Sequence, residues 1–385
     1  MNQISIKLDK NIDIDFLNFG VLKEREIFYI NLKLSDSQYE QFVFKTILFN
    51  LENKFIKELD GSIGSSFCDG LLRLNNTDKN SFIDKNANII KINFPYDLNY
   101  RDFHEGLIAV MVDKKMGFAN ISGKLTIDAK FDWVDDFSQG LAMVKFNGKF
   151  GVIDKKGNFV IQAKFKAIRN FKENLAAVCL HDKWGFVDKK GKIAIAMKYN
   201  EVKDFSQSLA GVKIDNKWGF IDKKGNFVIQ AKFKAIRNFK ENLAAVCLHD
   251  KWGFVDKKGK IIIKAKYDFI DDKDDEMVMF GSKHGLYLLL FKENILGCFH
   301  EGLALARINK KYGFIDKNEN LVIEAKYDEV EDFDKGLAIA KLDGKSGLLD
   351  KNGRVIVDFL YEKILVVNKD IIILVKNNEI LIQKI

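Results

Sequence analysis

The fold is indicated by the stretch Lys217-Trp-Gly-Phe-Ile-Asp222. Versions of this stretch recur along the chain with a period of 34 residues. The most constant part is a pair in which glycine follows a residue that is usually aromatic. The pair occurs at Met116-Gly117, Phe150-Gly151, Trp184-Gly185, Trp218-Gly219, Trp252-Gly253, His284-Gly285, Tyr312-Gly313 and Ser346-Gly347. A fixed period of this length indicates a repeat protein, in which each unit buries its apolar residues against its neighbours.

The residues around the pair predict three short antiparallel β-strands in each repeat. The first begins at a leucine, as in Leu175-Ala-Ala-Val-Cys-Leu180, and the second carries the pair itself. The third, residues 159–165 in one copy, alternates apolar and polar side chains, which is typical of a strand with one solvated face. Strands of this length, with turns about every ten residues, argue against a parallel α/β sheet.

Two kinds of turn connect the predicted strands. Asn147-Gly148 and Asp343-Gly344 lie between the first and second strands, and this dipeptide is favoured in type I′ hairpins. The second turn has the form Asp154-Lys-Lys-Gly157, in which the glycine suits a left-handed position.

Glycine in the middle of the second strand predicts a close approach, since glycine weakens a strand unless something must lie against its Cα. We expect a large side chain, such as an aromatic ring of a neighbouring repeat, to occupy that place. The alternative is an exposed row of aromatic rings that stack on sugars or bases. Met116, His284 and Ser346 in the aromatic place favour the structural interpretation.

The phrases Lys-Trp-Gly-Phe-Ile-Asp, Gly-Asn-Phe-Val-Ile and Phe-x-x-Gly-Leu-Ala recur together and in order, and in this the chain resembles the WG-repeat (KWG) family of bacterial proteins. The resemblance covers about residues 60–361. It implies an all-β tandem repeat that serves as a binding or scaffold unit, and it implies no particular activity.

The predicted fold is therefore all-β: tandem 34-residue, three-stranded antiparallel repeats in an open solenoid or superhelical array, with a closed β-propeller as the alternative. Residues 151–193 and 219–261 match at every position except Val152 and Phe220, and this recent duplication favours an open array, which accepts extra repeats easily. Residues 1–60 are expected to be a divergent β cap or diverged repeats. WG-type repeats fill 61–361, with a degenerate copy at 273–298, and 362–385 form a C-terminal capping hairpin.

The net charge of +8 does not by itself indicate nucleic-acid binding. Only seven of the 62 basic residues are arginine, the residue best suited to bidentate phosphate contacts. Most lysines fall in the predicted turns, beside aspartate, so we expect them to solvate loops and expect nucleic acid not to be a partner.

The sequence contains no catalytic motif, no cofactor fingerprint and no standard metal-ligand spacing, so no catalytic, cofactor or metal residue is assigned. The four cysteines are expected to be buried thiols. The Asp271–Glu276 acidic run lacks the spacing of a calcium loop and is expected to be an exposed turn. No signal peptide or membrane span is visible, so a cytoplasmic location is expected.

Three functions remain open. The first is a non-enzymatic repeat scaffold whose partner is another protein, bound through many similar weak contacts. The second is a module that binds carbohydrate or cell wall through its repeated aromatic residues. The third is an enzyme with its site in residues 1–60. The residues singled out above are structural repeat positions, not catalytic ones: Gly117, Gly151, Trp184, Gly185, Trp218, Gly219, Trp252, Gly253, Gly285, Tyr312, Gly313 and Gly347.

Overall fold

The computed structural model describes residues 3–7, 18–22, 27–35, 42–50, 55–60, 62–63, 69–75, 81–84, 88–92, 94–96, 101–267, 269–271, 295–368, 371–377 and 379–384. Gly285, Cys68 and most of the degenerate copy at 273–298 therefore lie outside the described residues. Contacts divide the chain into two compact units, Met1–Ile168 with Asp370–Ile385, and Arg169–Lys369.

All regular elements among the described residues are β-strands. The N-terminal strands are β1 (Gln3–Lys7), β2 (Asn18–Leu22), β3 (Ile27–Ser35), β4 (Phe42–Asn50), β5 (Phe55–Asp60), β6 (Ser62–Ile63), β7 (Leu71–Asn75), β8 (Ser81–Asp84) and β9 (Ile89–Lys91). The strands of the best-defined repeats are β10 (Leu107–Val112), β11 (Lys115–Asn120), β12 (Leu125–Phe131), β13 (Trp133–Val134), β14 (Leu141–Phe146), β15 (Lys149–Asp154), β16 (Phe159–Phe165), β17 (Ala167–Ile168), β18 (Leu175–Leu180), β19 (Lys183–Asp188), β20 (Ile193–Tyr199), β21 (Glu201–Val202), β22 (Ala210–Ile214), β23 (Lys217–Ile221), β24 (Phe227–Phe233), β25 (Ala235–Ile236), β26 (Leu243–Leu248), β27 (Lys251–Asp256) and β28 (Ile261–Tyr267).

The remaining strands follow the degenerate copy. They are β29 (Phe269–Asp271), β30 (Ile295–His300), β31 (Leu303–Ile308), β32 (Lys311–Ile315), β33 (Leu321–Tyr327), β34 (Glu329–Val330), β35 (Leu337–Leu342), β36 (Lys345–Asp350), β37 (Val355–Tyr361), β38 (Lys363–Asn368), β39 (Ile371–Lys376) and β40 (Glu379–Lys384).

Most repeats are four-stranded antiparallel sheets, with one strand more than predicted, whereas β10-β11-β12 has the predicted three strands and β29-β30-β31-β32-β33 has five, of which β29 and β30 are parallel. In the sheet β21-β22-β23-β24, the added strand is the two-residue β21, in which Val202 pairs with Val212. The sequence predicted only a corner there, because two residues are too few to show an alternating pattern. The other three strands lie where the sequence placed them, so the all-β, tandem-repeat part of the prediction is confirmed.

Side-chain burial follows the predicted patterns. In β24, Ile229 and Phe233 are buried while Val228, Gln230 and Lys232 are exposed, as expected for a strand with one solvated face. In the middle strand β23, the adjacent residues Phe220 and Ile221 are both buried, so this strand is covered on its two faces.

The core lies between consecutive sheets. One apolar cluster joins Phe220, Ile229 and Phe233 of one repeat to Ile236, Phe239 and Val246 of the next. At its centre the ring of Phe220 packs on that of Phe239 with centroids 4.8 Å apart. The same pairing recurs at Phe186 with Phe205 and at Phe314 with Phe333, so each repeat depends on its neighbour for a complete core.

The hairpin turns between the first and second strands have the type I′ signature of two successive residues with positive φ. Asn147 and Gly148 have φ values of 49° and 75°, as their sequence predicted. His181-Asp182 and Asp215-Asn216 adopt the same conformation without glycine. The glycine of the Asp-Lys-Lys-Gly turn also has the predicted positive φ, 81° at Gly157.

The two ends of the chain meet in one sheet. Strand β1 pairs antiparallel with β40 from Gln3 opposite Gln383 to Lys7 opposite Glu379, and β40 pairs with β39. The predicted open array has separate caps at its two ends, and a pairing of first with last strand does not agree with that arrangement. It is instead the feature expected of the alternative, a closed propeller.

We expect deletion of residues 1–8 to speed amide hydrogen exchange in Glu379–Lys384 about tenfold or more, because one edge of β40 loses its hydrogen-bonded neighbour. Exchange in β24 serves as the internal control and should be unchanged. If the ends were independent caps, exchange in β40 would be the same in the deletion variant and the full chain.

Candidate functional site

The glycine of the aromatic–Gly pair lies against backbone, not against the large side chain that the sequence suggested. Strands β23 and β24 are in different registers on either side of Gly219, with Trp218 opposite Phe233 and Phe220 opposite Ile229. The resulting bulge brings β24 onto the glycine. A Cβ atom on Gly219 would lie 2.6 Å from the carbonyl oxygen of Ile229 and 2.7 Å from the nitrogen of Ala231.

The same backbone contact occurs at five other copies, and one copy differs. The copies with a third-strand backbone in this place are Gly117, Gly151, Gly185, Gly253 and Gly313. At Gly347 the obstructing group is instead the ring of Phe359, at 2.7 Å, so among the described copies a large side chain is found only there, and it comes from the same sheet, not from a neighbouring repeat. These glycines are structural positions, as the sequence indicated.

A cation covers each tryptophan of the pair. Lys213 is the cross-strand partner of Trp218, and its Nζ lies 5.8 Å from the ring centroid. Opposite Trp184 the cross-strand residue is Cys179, and here the Arg169 guanidinium from the corner lies over the ring at 4.9 Å. Such contacts add a cation–π attraction to the packing of the ring.

The remaining aromatic copies follow these two patterns. Trp252 follows the second pattern: Cys247 is its cross-strand partner, and Arg237 covers its ring. Phe150 and Tyr312 follow the first pattern. Lys145 is the cross-strand partner that covers Phe150, and Arg307 is the one that covers Tyr312. Trp218 is only 8% exposed, and Trp184 and Trp252 are half-buried. The tryptophans are therefore packed and covered, and they do not form the open row of rings that a sugar-stacking surface needs.

A second turn, just before each first strand, holds consecutive repeats together. Glu173 and Asn174 form its two positive-φ residues. The Glu173 carboxylate accepts a hydrogen bond from the backbone N–H of Ser208, in the same turn of the next repeat, and pairs with Lys223 at 2.8 Å. We call this arrangement the inter-repeat clasp.

The clasp recurs along the chain with small changes. Glu105 binds Gly140 and Lys155, Glu241 binds Gly302 and Lys317, Glu301 binds Gly336 and Lys351, and Gln207 accepts the N–H of Asn242 without a lysine. Sequence reasoning did not find it, although a signal was present: Glu or Gln stands at a constant place before the first strand's leucine in these copies.

The clasp lowers the pKa of its carboxyl groups. For Glu173, partial burial raises the pKa, but the hydrogen bonds from Lys223 and from the Ser208 N–H outweigh it, and the net pKa is below its usual range. For Glu301 the hydrogen bond from Lys351 is the largest cause of a lowered pKa. The ionised carboxylate is therefore the form that joins the repeats.

We expect the clasps to make folding stability depend on acid pH. Because the pKa of these carboxyls is lower in the folded chain, their contribution is present above the unfolded value of about 4.3 and is lost as pH falls through the folded pKa. The double variant Glu173→Gln, Glu301→Gln should lose less stability than the wild type between pH 7 and pH 3. Urea unfolding at several pH values measures this, and parallel pH curves for the two proteins would refute it.

The corners between repeats contain two contacts between a histidine and an aspartate, the kind of pair that can act as acid and base in an enzyme. His104 Nε2 lies 3.4 Å from Asp136, and His300 Nε2 lies 3.5 Å from Asp332. Asp136 also pairs with Arg101 at 3.3 Å. Both histidines follow a repeat-opening phenylalanine, so the pairs belong to the contacts between repeats, as their recurrence in the sequence indicated.

Burial raises the pKa of Asp102, in the same corner, even though the nearby Arg73 guanidinium lowers it. Cys179, Cys247 and Cys298 are buried thiols. Within the described part of the chain, no group of three or more His, Cys, Asp or Glu side chains is placed to hold a metal ion. The described residues also contain no helix long and apolar enough to cross a membrane.

The exposed surface of three consecutive repeats combines lysine with aliphatic side chains. Three segments make up this surface: residues 189–199, 223–233 and 257–267. Each begins at the first lysine of an Asp-Lys-Lys-Gly-type turn and continues to the end of the third strand. Together the segments contain twelve lysines and neither Asp nor Glu. Ile193, Val228 and Ile261 are 51%, 42% and 55% exposed. We call these three segments the basic–apolar strip.

Several solved structures are similar to this chain at low sequence identity. One is described as a eukaryotic initiation factor, with 14% identity over 77% of this chain and 87% of that one and a TM-score of 0.43. Another is the WD40 domain of SCAP from fission yeast, with 10% identity over 98% and 96% of the two chains and a TM-score of 0.31. A third is the V. cholerae biofilm matrix protein Bap1, with 9% identity over 99% and 87% and a TM-score of 0.28.

No match was found among curated proteins. The family model described as "WG containing repeat" matches residues 116–150, 150–184, 184–218, 218–252, 252–275, 312–345 and 347–379; the first six matches start at the first residue of an aromatic–Gly pair, and the last starts at Gly347. These matches cover more than half of the chain. The protein therefore belongs to the family of proteins built from the WG-containing repeat.

Proposed function

We propose that this protein is a non-enzymatic scaffold that binds another protein through its repeated outer surface. The observation that carries the proposal is that the most constant positions of the repeat face inward or toward neighbouring repeats. Gly219 lies against backbone, Trp218 lies under Lys213, and Glu173 joins two turns. The solvent-exposed positions of the strands take no part in these contacts, and because they recur with the repeat they offer many similar sites for contact with a partner.

We also propose that the repeats form a closed propeller. The pairing of β1 with β40 supports closure, since it joins the first strand to the last. Closure would leave the sheets without a free terminal repeat and would make the outer surface rigid, which lowers the entropy lost when a partner binds.

A carbohydrate-binding module is the second candidate. Its supporting feature is the periodic tryptophan, and the cationic cover over Trp184 and Trp252 opposes it. Acrylamide quenching of tryptophan fluorescence separates the two functions: readily quenched tryptophans favour sugar stacking, and protected ones favour the scaffold. The third candidate, an enzyme with its site in residues 1–60, concerns a segment in which few side chains are described.

Affinity capture from the cells of origin tests the scaffold. The tagged full-length protein and a Trp184→Phe variant should enrich the same protein in near-stoichiometric amounts, because an aromatic ring is retained at a position that does not touch the partner. Retention on insoluble polysaccharide that is abolished by Trp184→Ala, with no protein enriched, would show the carbohydrate module to be the better assignment.

A further inference from the structure

We propose that the basic–apolar strip is a docking surface for an acidic polypeptide segment that also carries aliphatic side chains. The inference rests on the proposed scaffold function and specifies the partner and the place where it binds. Its starting point is an imbalance of charge: the strip has twelve lysines and no carboxylate, in a chain whose acidic residues number 54.

The three segments lie next to one another, because each turn packs against a buried isoleucine of the preceding segment. Gly225, in the turn of one segment, lies directly against Ile195 of the preceding one, where a Cβ atom on the glycine would be 3.4 Å from the Ile195 Cγ2 atom. Gly259 lies in the same way against Ile229, with a corresponding distance of 3.3 Å to Cγ1. The lysines of each turn therefore stand beside the third strand of the previous repeat.

Part of the positive charge of the strip is already neutralised. Lys223 is held in a clasp by Glu173, and Lys266 pairs with Glu319 at 2.7 Å. Other lysines form no ion pair with the described residues and are exposed to solvent: Lys190, Lys192, Lys224, Lys258, Lys260 and Lys264. These side chains give the strip a positive potential that attracts and orients an acidic partner.

The aliphatic residues distinguish the strip from a surface that is only charged. Ile193 and Ile261 open their strands at equivalent positions, whereas Val228 lies one residue further along its strand and therefore on the opposite face of its sheet. A later repeat provides a contrast within the same chain. Residues 317–327 expose Leu321 in the same place but contain Glu319 and Glu324. Each segment of the strip therefore carries lysines and an exposed aliphatic side chain, and none carries a carboxylate.

The same geometry disfavours an anionic membrane or a nucleic acid. In the sequence of each segment the lysines of the turn come before the exposed aliphatic residue, so the apolar side chain is not at the tip of the turn, where it would enter a bilayer first. The strip has no arginine, and its one aromatic residue near a strand start, Phe227, is half-buried. Base stacking needs exposed rings. A polypeptide with both carboxylates and aliphatic groups matches both features.

Fluorescence anisotropy with the full-length protein tests the proposal. The probe is a labelled synthetic peptide of repeated Glu-Glu-Leu triplets, and its partner probe has repeated Glu-Glu-Ser. We expect the leucine peptide to bind more tightly than the serine peptide. The triple variant Lys190→Glu, Lys224→Glu, Lys258→Glu should bind both about tenfold or more weakly, because three attractive charges become repulsive.

The matched control changes three exposed lysines at the opposite ends of the middle strands: Lys149→Glu, Lys183→Glu, Lys217→Glu. It has the same net charge as the strip variant and should bind like the wild type. Equal weakening by the two variants would overturn the proposal, since the binding would then depend on net charge alone. A milder form of the strip variant replaces the same three lysines by asparagine: Lys190→Asn, Lys224→Asn, Lys258→Asn. We expect it to fold, because Asn318 and Asn352 already occupy this turn position in later repeats.

The apolar part has its own variant, Ile193→Thr, Val228→Thr, Ile261→Thr. It should remove the preference for the leucine peptide and leave binding of the serine peptide unchanged. No binding of either peptide would overturn the proposal. The proposal would also be overturned if phosphatidylserine vesicles or a mixed-sequence oligonucleotide bound more tightly than the leucine peptide and this binding were weakened in the strip variant. If a captured partner bound wild type and strip variants equally, the strip would be refuted while the scaffold function stood.

Discussion

Gly219→Val should destabilise the protein far more than Trp218→Tyr. A valine Cβ would lie 2.6 Å from the Ile229 carbonyl oxygen, and the obstructing atoms belong to a backbone that is held by strand pairing. Overpacking of this kind costs about 1–3 kcal/mol or more. Tyrosine already stands at the aromatic place in Tyr312, with Arg307 over its ring, so Trp218→Tyr keeps the same contacts. Thermal or urea unfolding of the two variants measures the difference.

The matched control for this prediction is Gly347. There the obstructing group is the ring of Phe359, a side chain that can rotate, so Gly347→Ala should cost less than Gly219→Ala. Equal losses for the two alanine variants would mean that the backbone bulge at Gly219 moves as easily as a ring does. Neither glycine is in the left-handed region, so steric contact is the only effect compared.

The strand pattern could be predicted because it is local. Alternation in residues 159–165 and the Asn147-Gly148 turn depend only on neighbouring residues, and the structure has both. The reason for glycine at Gly219 could not be predicted in the same way. It depends on the register between β23 and β24, and the bulge that shifts this register has no residue signature of its own.

The contacts between repeats were harder to predict than the repeats themselves. Glu173 stands in a turn, where a solvated glutamate is the ordinary interpretation, and only the position of the next turn makes it a clasp. His181-Asp182 forms a type I′ turn without the glycine that normally indicates one, because strand pairing on both sides compensates for the unfavourable φ. The pairing of β1 with β40 depends on the angle between successive repeats, which the repeat motif does not specify.

The basic–apolar strip shows the same limit for function. The lysines of residues 189–199 were attributed to solvated turns next to aspartate, and Asp188 does accept the N–H groups of Lys190 and Lys192. Those hydrogen bonds use the aspartate to hold the turn through backbone groups, and they leave the lysine side chains exposed. The packing of each turn on the preceding repeat's third strand then joins the segments, and no single repeat contains that information.

Phe220→Ala should lower the free energy of unfolding by about 3–5 kcal/mol, the range found for removal of a buried phenylalanine side chain. Phe220 is 1% exposed, and its ring packs on Phe239 of the next repeat, so the substitution leaves a cavity between two sheets. Phe227→Ala is the control at a half-buried place in the same repeat and should cost clearly less. Equilibrium urea unfolding followed by circular dichroism gives both values.

The pair of rings also tests whether stability is shared between repeats. In a double-mutant cycle, Phe220→Leu and Phe239→Leu should show a coupling of about 0.5–1.5 kcal/mol, the range for aromatic pairs in contact. The two residues belong to consecutive sheets, so this coupling measures the interface on which a repeat array depends. Additive losses would mean that the two rings are not coupled, and the contact between them would then not be part of what joins consecutive repeats.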